Sequence, residues 1–370
     1  MNAKWRWYLP VKDTSDTNHN KRIFRGTQSN QERPMGFYNF YTDVAVDLGT
    51  ANTLVYVKGQ GIVLSEASIV AYDRSTEKVL AIGNDALTMH EKTHKNIETV
   101  RPLKDGVIAD FEMAEQLIRG LTRKVQTGWI KTIRQMVICI PSGITEVEKR
   151  AVRDSAQHVG ARKVYLISEP MAAAIGIGLT VHEPIGNMIV DIGGGTTEIA
   201  VIALGGIVVD QSVRVGGNAI DAAILAHFKH YHNLVIGQRT AERIKKEIGS
   251  TVVMEPEMEL YIKGQDSSSG MPKVHSTTSQ EVRNAISQVI GNIVSAVVQC
   301  LEKTPPELGS DILERGIMLT GGGALLHGMD QYIRNRVDIP VYVAEDPLTA
   351  VVRGTGKILE DVSPYTDVLL

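Results

Sequence analysis

Two aspartates carry the clearest chemistry in this sequence. Asp191 closes the apolar run 188–190 and precedes Gly193, Gly194, Gly195, Thr196 and Thr197, after which a second β-branched run reaches Ile202. The pattern predicts strand, tight turn, strand. Three consecutive glycines let the backbone take φ > 0 and come close to another group. With a carboxylate before them and two hydroxyls after, that group reads as a phosphate chain with its metal. Backbone N–H groups and threonine hydroxyls would hold phosphate oxygens, and Asp191 would hold Mg²⁺ through water. A plain β-hairpin with a glycine turn uses the same residues, and one short motif does not separate the two. Asp47 adds the missing discrimination. It lies 144 residues before Asp191, also follows an apolar run, and is followed by Gly49, Thr50, Ala51 and Asn52 before a second strand ending at Val57. Two copies of one unit at that distance indicate a duplicated domain, not a short repeat array. Two such half-sites can close on one nucleotide from both sides.

Further positions extend this site. Gly216, Gly217 and Asn218 begin a helix, with Asp221 one turn in and Ile220, Ile224, Leu225 and Phe228 as its apolar positions. A third strand–glycine turn, Gly321, Gly322, Gly323 and Ala324, is expected to open a helix and pack against the nucleoside. Thr145 and Glu148 have capping-box spacing, so Glu148 can simply satisfy a helix N-terminus. Alternatively it faces the nucleotide and orients the attacking water, a role that phosphoryl transfer to water requires. The residues alone favour the cap.

The elements that must position these groups alternate in the α/β manner. Residues 61–71 read as a further strand pair, 78–82 as a strand and 86–96 as a polar helix or loop. An amphipathic helix is expected over 112–126, with Met113, Leu117, Leu121 and Val125 on one face. Strands at 136–140 and 164–167 flank a helix running to His158. A charged helix at 240–248 opens on Thr240 as its cap, and 265–278 reads as an exposed loop. The helix 280–301 carries the core stripe Val282, Ile286, Val289, Ile293 and Val297. Acid-Pro-x-x-Ala followed by Gly occurs twice, at 169–176 and 346–354. Small residues let two helices cross closely, which points to a hinge between the halves.

Composition bounds the rest. With 370 residues, 43% hydrophobic and 22% charged, the chain can bury two sizeable cores. A net charge of −3 argues against a general nucleic-acid binder. Cys139 and Cys300 sit in apolar segments without metal-ligand spacing and read as reduced core thiols of a cytosolic protein. No run is expected to span a membrane, and no signal peptide is visible. Residues 1–34 are polar and aperiodic, so they read as a disordered or mis-assigned extension, with Met35 as the natural start. Phe37, Tyr38, Phe40 and Tyr41 follow, within 35–42. They either staple onto the domain surface or anchor at a water–lipid boundary. Trp129 and Ile130, in a Gly-led loop among Lys124, Lys131 and Arg134, either cap the core or form a second membrane contact.

The Asp47, Asp191, Glu169-Pro170 and Leu319-Thr320 motifs together resemble the actin, sugar kinase and heat-shock chaperone ATPase superfamily. Within it they resemble the MreB family of bacterial actin-like cell-shape proteins, from about Met35 to the end. The resemblance implies duplicated RNase-H-like domains with ATP and Mg²⁺ in the cleft between them. Domain I would comprise 43–178 and 341–370, with an insertion at about 67–110; domain II would comprise 179–340, with an insertion at about 218–278. Asp47 and Asp191 would hold the metal through water. Glu148, assisted by Thr196, would activate the hydrolytic water, which reverses the preference for a mere cap. Glu242 and Lys245 would lie near ribose and adenine, and Trp129 with Ile130 would be the membrane-insertion loop. The implied function is a slow ATPase polymerising on the inner face of the cytoplasmic membrane. Its filaments would organise lateral wall synthesis and rod shape with the elongation machinery and its membrane adaptors. A small-molecule kinase or a plasmid or division actin is the alternative. The extra upstream 34 residues have no counterpart in the family.

Overall fold

The computed structural model describes residues 41–93, 95–126 and 132–370. Ten strands build two sheets of one plan. The first contains β1 (Tyr41–Leu48), β2 (Asn52–Val57), β3 (Gly61–Ala67), β4 (Thr132–Ile140) and β5 (Ala161–Ser168), in the order β3-β2-β1-β4-β5. The second contains β6 (Asn187–Ile192), β7 (Thr197–Ala203), β8 (Gly206–Val213), β9 (Ile317–Thr320) and β10 (Val341–Val343), in the order β8-β7-β6-β9-β10. In both, the first three strands pair antiparallel and the last two add in parallel. The repetition read from two aspartates is therefore a repetition of whole sheets. Each aspartate sits near the end of the central strand: Asp47 opposite Leu54, Asp191 opposite Glu198. β6 and β7 are buried along their whole length, as strands covered on both faces must be.

Helices cover the sheets: α1 (Phe111–Val125), α2 (Glu146–His158), α3 (Glu169–Ile177), α4 (Gly217–His232), α5 (Gln238–Ile248), α6 (Ser279–Glu302) and α7 (Ala350–Glu360). α1 starts at Asp110, whose side chain accepts the Met113 N–H, and buries Met113, Leu117 and Leu121. α6 passes for a membrane span by length and composition, but its Val282, Ile286, Ile293 and Val297 stripe is core, as its periodicity predicts. One apolar cluster fills each half, and a third, with Ala45, Val137, Ala172, Ile189, Ala200 and Ala350, joins them. At that junction α3 and α7 cross at backbone contact. A Cβ on Gly176 would stand 1.8 Å from the Ala350 carbonyl oxygen, and one on Gly354 would stand 1.8 Å from that of Ala172. Only glycine fits either place.

Four local expectations need correction. Residues 61–71 contain two strands, but they do not pair with each other: β3 ends at Ala67, and Val70–Asp73 belongs to a separate small sheet with Lys78–Ile82 and Ile97–Val100. Most of 265–278 is not loop. Pro272–Thr278 pairs antiparallel with Glu259–Asp266. A hairpin with one solvated face tolerates polar residues, which hid the strand in the sequence. The turn at Gly321 leads into a short 3₁₀ turn, Gly322–Leu325; the helix Met329–Val337 starts later, after Gly328. α5 begins at Gln238, not at Thr240, and its cap comes from elsewhere.

Candidate functional site

The two glycine turns meet face to face. A Cβ on Gly194 would come within 2.7 Å of Ala51 Cβ, and one on Gly195 within 2.7 Å of Thr50 Oγ1. Gly49, Thr50, Ala51, Gly193, Gly194 and Gly195 are thus brought together as the repeat predicts. Each turn is braced from behind. Ser68, fully buried, donates its hydroxyl to the Gly49 carbonyl at 2.5 Å and its N–H to the Ala51 carbonyl at 2.9 Å. On the other side Gly217 N–H donates to the Gly193 carbonyl (2.9 Å) and Asn218 N–H to that of Gly194 (2.8 Å). A trans peptide points its N–H opposite its C=O. The N–H groups of Gly194 and Gly195 therefore face away from α4. Gly216 must be glycine because a Cβ there would lie 2.6 Å from the Gly193 oxygen.

Behind the turns lie four carboxylates. Asp191 is buried, and desolvation, then the charges of Asp47 and Glu198, raise it to about 7; the neighbouring Thr320 hydroxyl opposes this without reaching hydrogen-bond geometry. Desolvation raises Asp47 to about 6, against a 3.2 Å bond from the Cys139 thiol. Glu169 is pushed well above the usual range by burial and by Glu198, Asp47 and Asp191. Glu198 is the satisfied member: Ser142 Oγ donates to it at 2.7 Å and Ser212 Oγ at 2.6 Å. A divalent cation offsets this accumulation of desolvated negative charge, so the donor set fits Mg²⁺ beside Asp47 and Asp191.

Other expected residues have structural partners. Thr197 is fully buried and donates its hydroxyl to the Val215 carbonyl at 2.7 Å. Lys245 Nζ lies 2.8 Å from Asp221 and donates to the Gly217 carbonyl at 3.0 Å, tying α5 to the start of α4. Glu242 pairs with Lys246. Glu148 makes the full capping box, both bonds from Thr145 falling on Oε2 (2.7 and 2.8 Å). Gly321 has φ +76°, and a Cβ there would strike Asp191 Oδ1; Gly323 is packed against Ile192. Protein contacts therefore account for two glycines of the third turn. Asn52 opens β2, and Ala324 is buried. Thr196 packs beside Gly106, which reveals a part the motif reading missed. The hairpin tip Asp105-Gly106, φ +50° and +79°, reaches between the turns, and Gly106 N–H donates to Thr50 Oγ1 at 3.3 Å. Its Asp-Gly pair is the sequence signal that marks such a tip.

Phe37, Tyr38, Phe40, Trp129 and Ile130 lie outside the described residues. Tyr41 starts β1, half exposed, with the Arg162 guanidinium 5.0 Å above its ring. Of the basic residues near the loop, Lys124 pairs with Glu66 at 2.7 Å and Arg134 pairs with Asp43.

Duplicated five-stranded sheets, apposed glycine turns and a crossing of small-residue helices define an actin-like protein. The family model described as MreB/Mbl protein matches residues 41–366. The chain is 50% identical over 331 residues to the cell shape-determining protein MreB of Escherichia coli (strain K12), covering 88% of this chain and 95% of that one. It is 46% identical over 323 residues to the cell shape-determining protein Mbl of Bacillus subtilis (strain 168), covering 87% and 97%. The crystal structure of MreB 5 of Spiroplasma citri bound to AMPPNP superposes with a TM-score of 0.84 at 39% identity, covering 88% and 98%. The chain belongs to the MreB/Mbl family.

Proposed function

We propose that the chain binds ATP and Mg²⁺ between its glycine turns, hydrolyses the nucleotide slowly and polymerises into membrane-associated filaments that organise lateral wall synthesis and rod shape. The observation that carries this reading is the apposition of the Thr50-Ala51 and Gly194-Gly195 backbones in front of Asp47 and Asp191. The AMPPNP bound to MreB 5 and the cell-shape names of the relatives support it. Residues 43–178 with the C-terminal helix form domain I in this reading, and 179–340 form domain II; β10 pairs in the second sheet, so the return falls after Val343.

The chain's own groups divide the work. N–H groups of Gly194 and Gly195 and the hydroxyls of Thr50 and Thr196 bind phosphate oxygens. Asp47 and Asp191 would hold Mg²⁺, which would offset charge on the phosphates. Glu148 and Thr196 orient the attacking water. Asn218, Glu242 and Lys245 border the nucleoside, with Gly322 and Ala324 of the third turn. Nucleotide entry separates the touching turns by rotation at the α3–α7 crossing, and closure presents head and tail surfaces that propagate as a protofilament. Trp129 and Ile130, with Phe37 to Tyr41, contact the inner membrane face weakly per subunit and by avidity along a filament. Wall-elongation proteins and membrane adaptors are its partners.

Pelleting of the purified chain with Mg-ATP, Mg-ADP or no nucleotide, each with and without anionic liposomes, tests the reading. Nucleotide-dependent polymer recruited to lipid is expected. A soluble ATPase that never pellets would overturn it in favour of a small-molecule kinase. Unchanged lipid recruitment after Trp129→Ala and Ile130→Ala would remove the loop alone.

A further inference from the structure

A second cluster of ligating side chains lies apart from the nucleotide turns. His227 and His232 come from the last turns of α4, and Glu281 from the first turn of α6. One candidate ligand atom from each lies within 4.8 Å of the others. His227 Nε2 stands 2.9 Å from Glu281 Oε1, and His232 Nε2 bonds the same oxygen. A tetrahedral zinc ion with bonds of about 2.0 Å needs ligand atoms about 3.3 Å apart, so small shifts would admit one. A fourth group adjoins them. The His275 ring lies 4.0 Å from that of His232, centroid to centroid, and its Nε2 is buried without a hydrogen-bond partner.

The surroundings favour a cation. Glu281 accepts bonds from Thr277, His227 and His232, so its carboxylate is the shared acceptor at the centre of the cluster. The nearby positive charge, Lys273, is paired with Asp266 at 3.6 Å and donates to the His232 carbonyl. Phe228, fully buried, packs its ring against His227, His232 and His275 and supplies an apolar floor. Two imidazoles and a carboxylate, with a third imidazole in reach, are a zinc-type donor set and a poor one for Mg²⁺.

We propose that His227, His232 and Glu281, with His275 as fourth ligand, bind one divalent transition metal ion of the zinc type. The ion takes the place of the hydrogen bonds that now join the imidazoles to Glu281. It staples the end of α4 to the start of α6 and to the strand Pro272–Thr278. No nucleotide is needed, so the site stands or falls independently of ATP binding.

The test uses the untagged full chain, stripped by chelator and titrated with Zn²⁺ and Co²⁺ in excess Mg²⁺ without nucleotide. One ion per chain by elemental analysis is expected, with the strong visible absorption of tetrahedral Co²⁺. His227→Asn and His232→Asn should each weaken binding by at least about tenfold, on the scale of lost metal-site contacts. His230→Asn, on the same helix but outside the cluster, should not. Zn²⁺ should also raise the melting temperature of the unsubstituted chain where Mg²⁺ does not, a readout that survives if a variant fails to fold. Absence of a bound ion and of that rise, or affinity in both histidine variants equal to that of the unsubstituted chain, would overturn the proposal.

Discussion

At the scale of single residues, Glu148 is where two roles coincide. It closes the capping box of α2 through Oε2, and in our reading it also orients the attacking water. Glu148→Gln separates them, because glutamine serves a capping box as well as glutamate does. We expect a melting temperature close to that of the unsubstituted chain and an ATPase rate reduced at least about tenfold. Loss of stability with unchanged turnover would leave only the cap. Asp191→Asn should act in the opposite sense. It removes a desolvated charge and offers an amide donor to the unpartnered Thr320 hydroxyl. The metal-free variant should therefore melt higher than the unsubstituted chain, while Mg²⁺-dependent nucleotide affinity falls; thermal shift with and without Mg-ATP reads both. Asp47, Asp191 and the Thr145–Glu148 pair were legible in the sequence because their chemistry is written within a few consecutive residues. Ser68, Glu169 and Glu198 were not assigned to the site. Their partners are Gly49, Asp47 and Ser142, and only the finished fold brings these together.

At the scale of elements, the α3–α7 crossing is the most exacting joint. Gly176→Ala or Gly354→Ala would place a methyl group inside a carbonyl's contact distance. Each should destabilise by about 1–3 kcal/mol or more, the usual range for overpacking, and denaturant melts should show similar losses for the two. Another joint ties the segment before the Glu259–Asp266 strand to α6. Glu257 bonds Arg283 at 2.7 Å and also accepts the Ser279 hydroxyl, and these bonds lower its carboxyl from 4.5 to about 2. A lowered carboxyl contributes stability above its unfolded value and loses it as pH falls towards the folded one. Melting temperature should thus drop between about pH 4.5 and pH 2, and Glu257→Gln should flatten that part of the curve. Helices with a clear apolar stripe, such as α1 and α6, could be read from periodicity alone. The strand Pro272–Thr278 could not, since Lys273, His275, Ser276 and Thr277 carry no alternation of apolar residues. Its conformation comes from its partner across the hairpin.

At the scale of the molecule, duplication was visible as two spaced aspartates, and the sheets repeat strand for strand. The helix crossing and the apposed glycine turns were legible in the repeated motifs, but another contact between the halves was not, and it sets more than geometry. Glu91, just beyond the helix Asn84–Met89 of the first half, accepts the Gln238 N–H at 2.8 Å and so caps α5 of the second; a Cβ on Gly237 would strike it. α5 has no capping side chain of its own. The Gln238 N–H thus has this side-chain partner only while the halves stay together. The cap then behaves as a thermodynamic set-point, fixing the ratio of joined to parted molecules before any nucleotide arrives. A single cap shifts such a ratio roughly two- to tenfold. Glu91→Ala should raise the parted fraction by that factor, and stopped-flow exchange of a fluorescent nucleotide should quicken in proportion. A filament built from joined subunits would register the same change as a higher concentration threshold for assembly, although residue 91 need touch neither the nucleotide nor a neighbouring subunit.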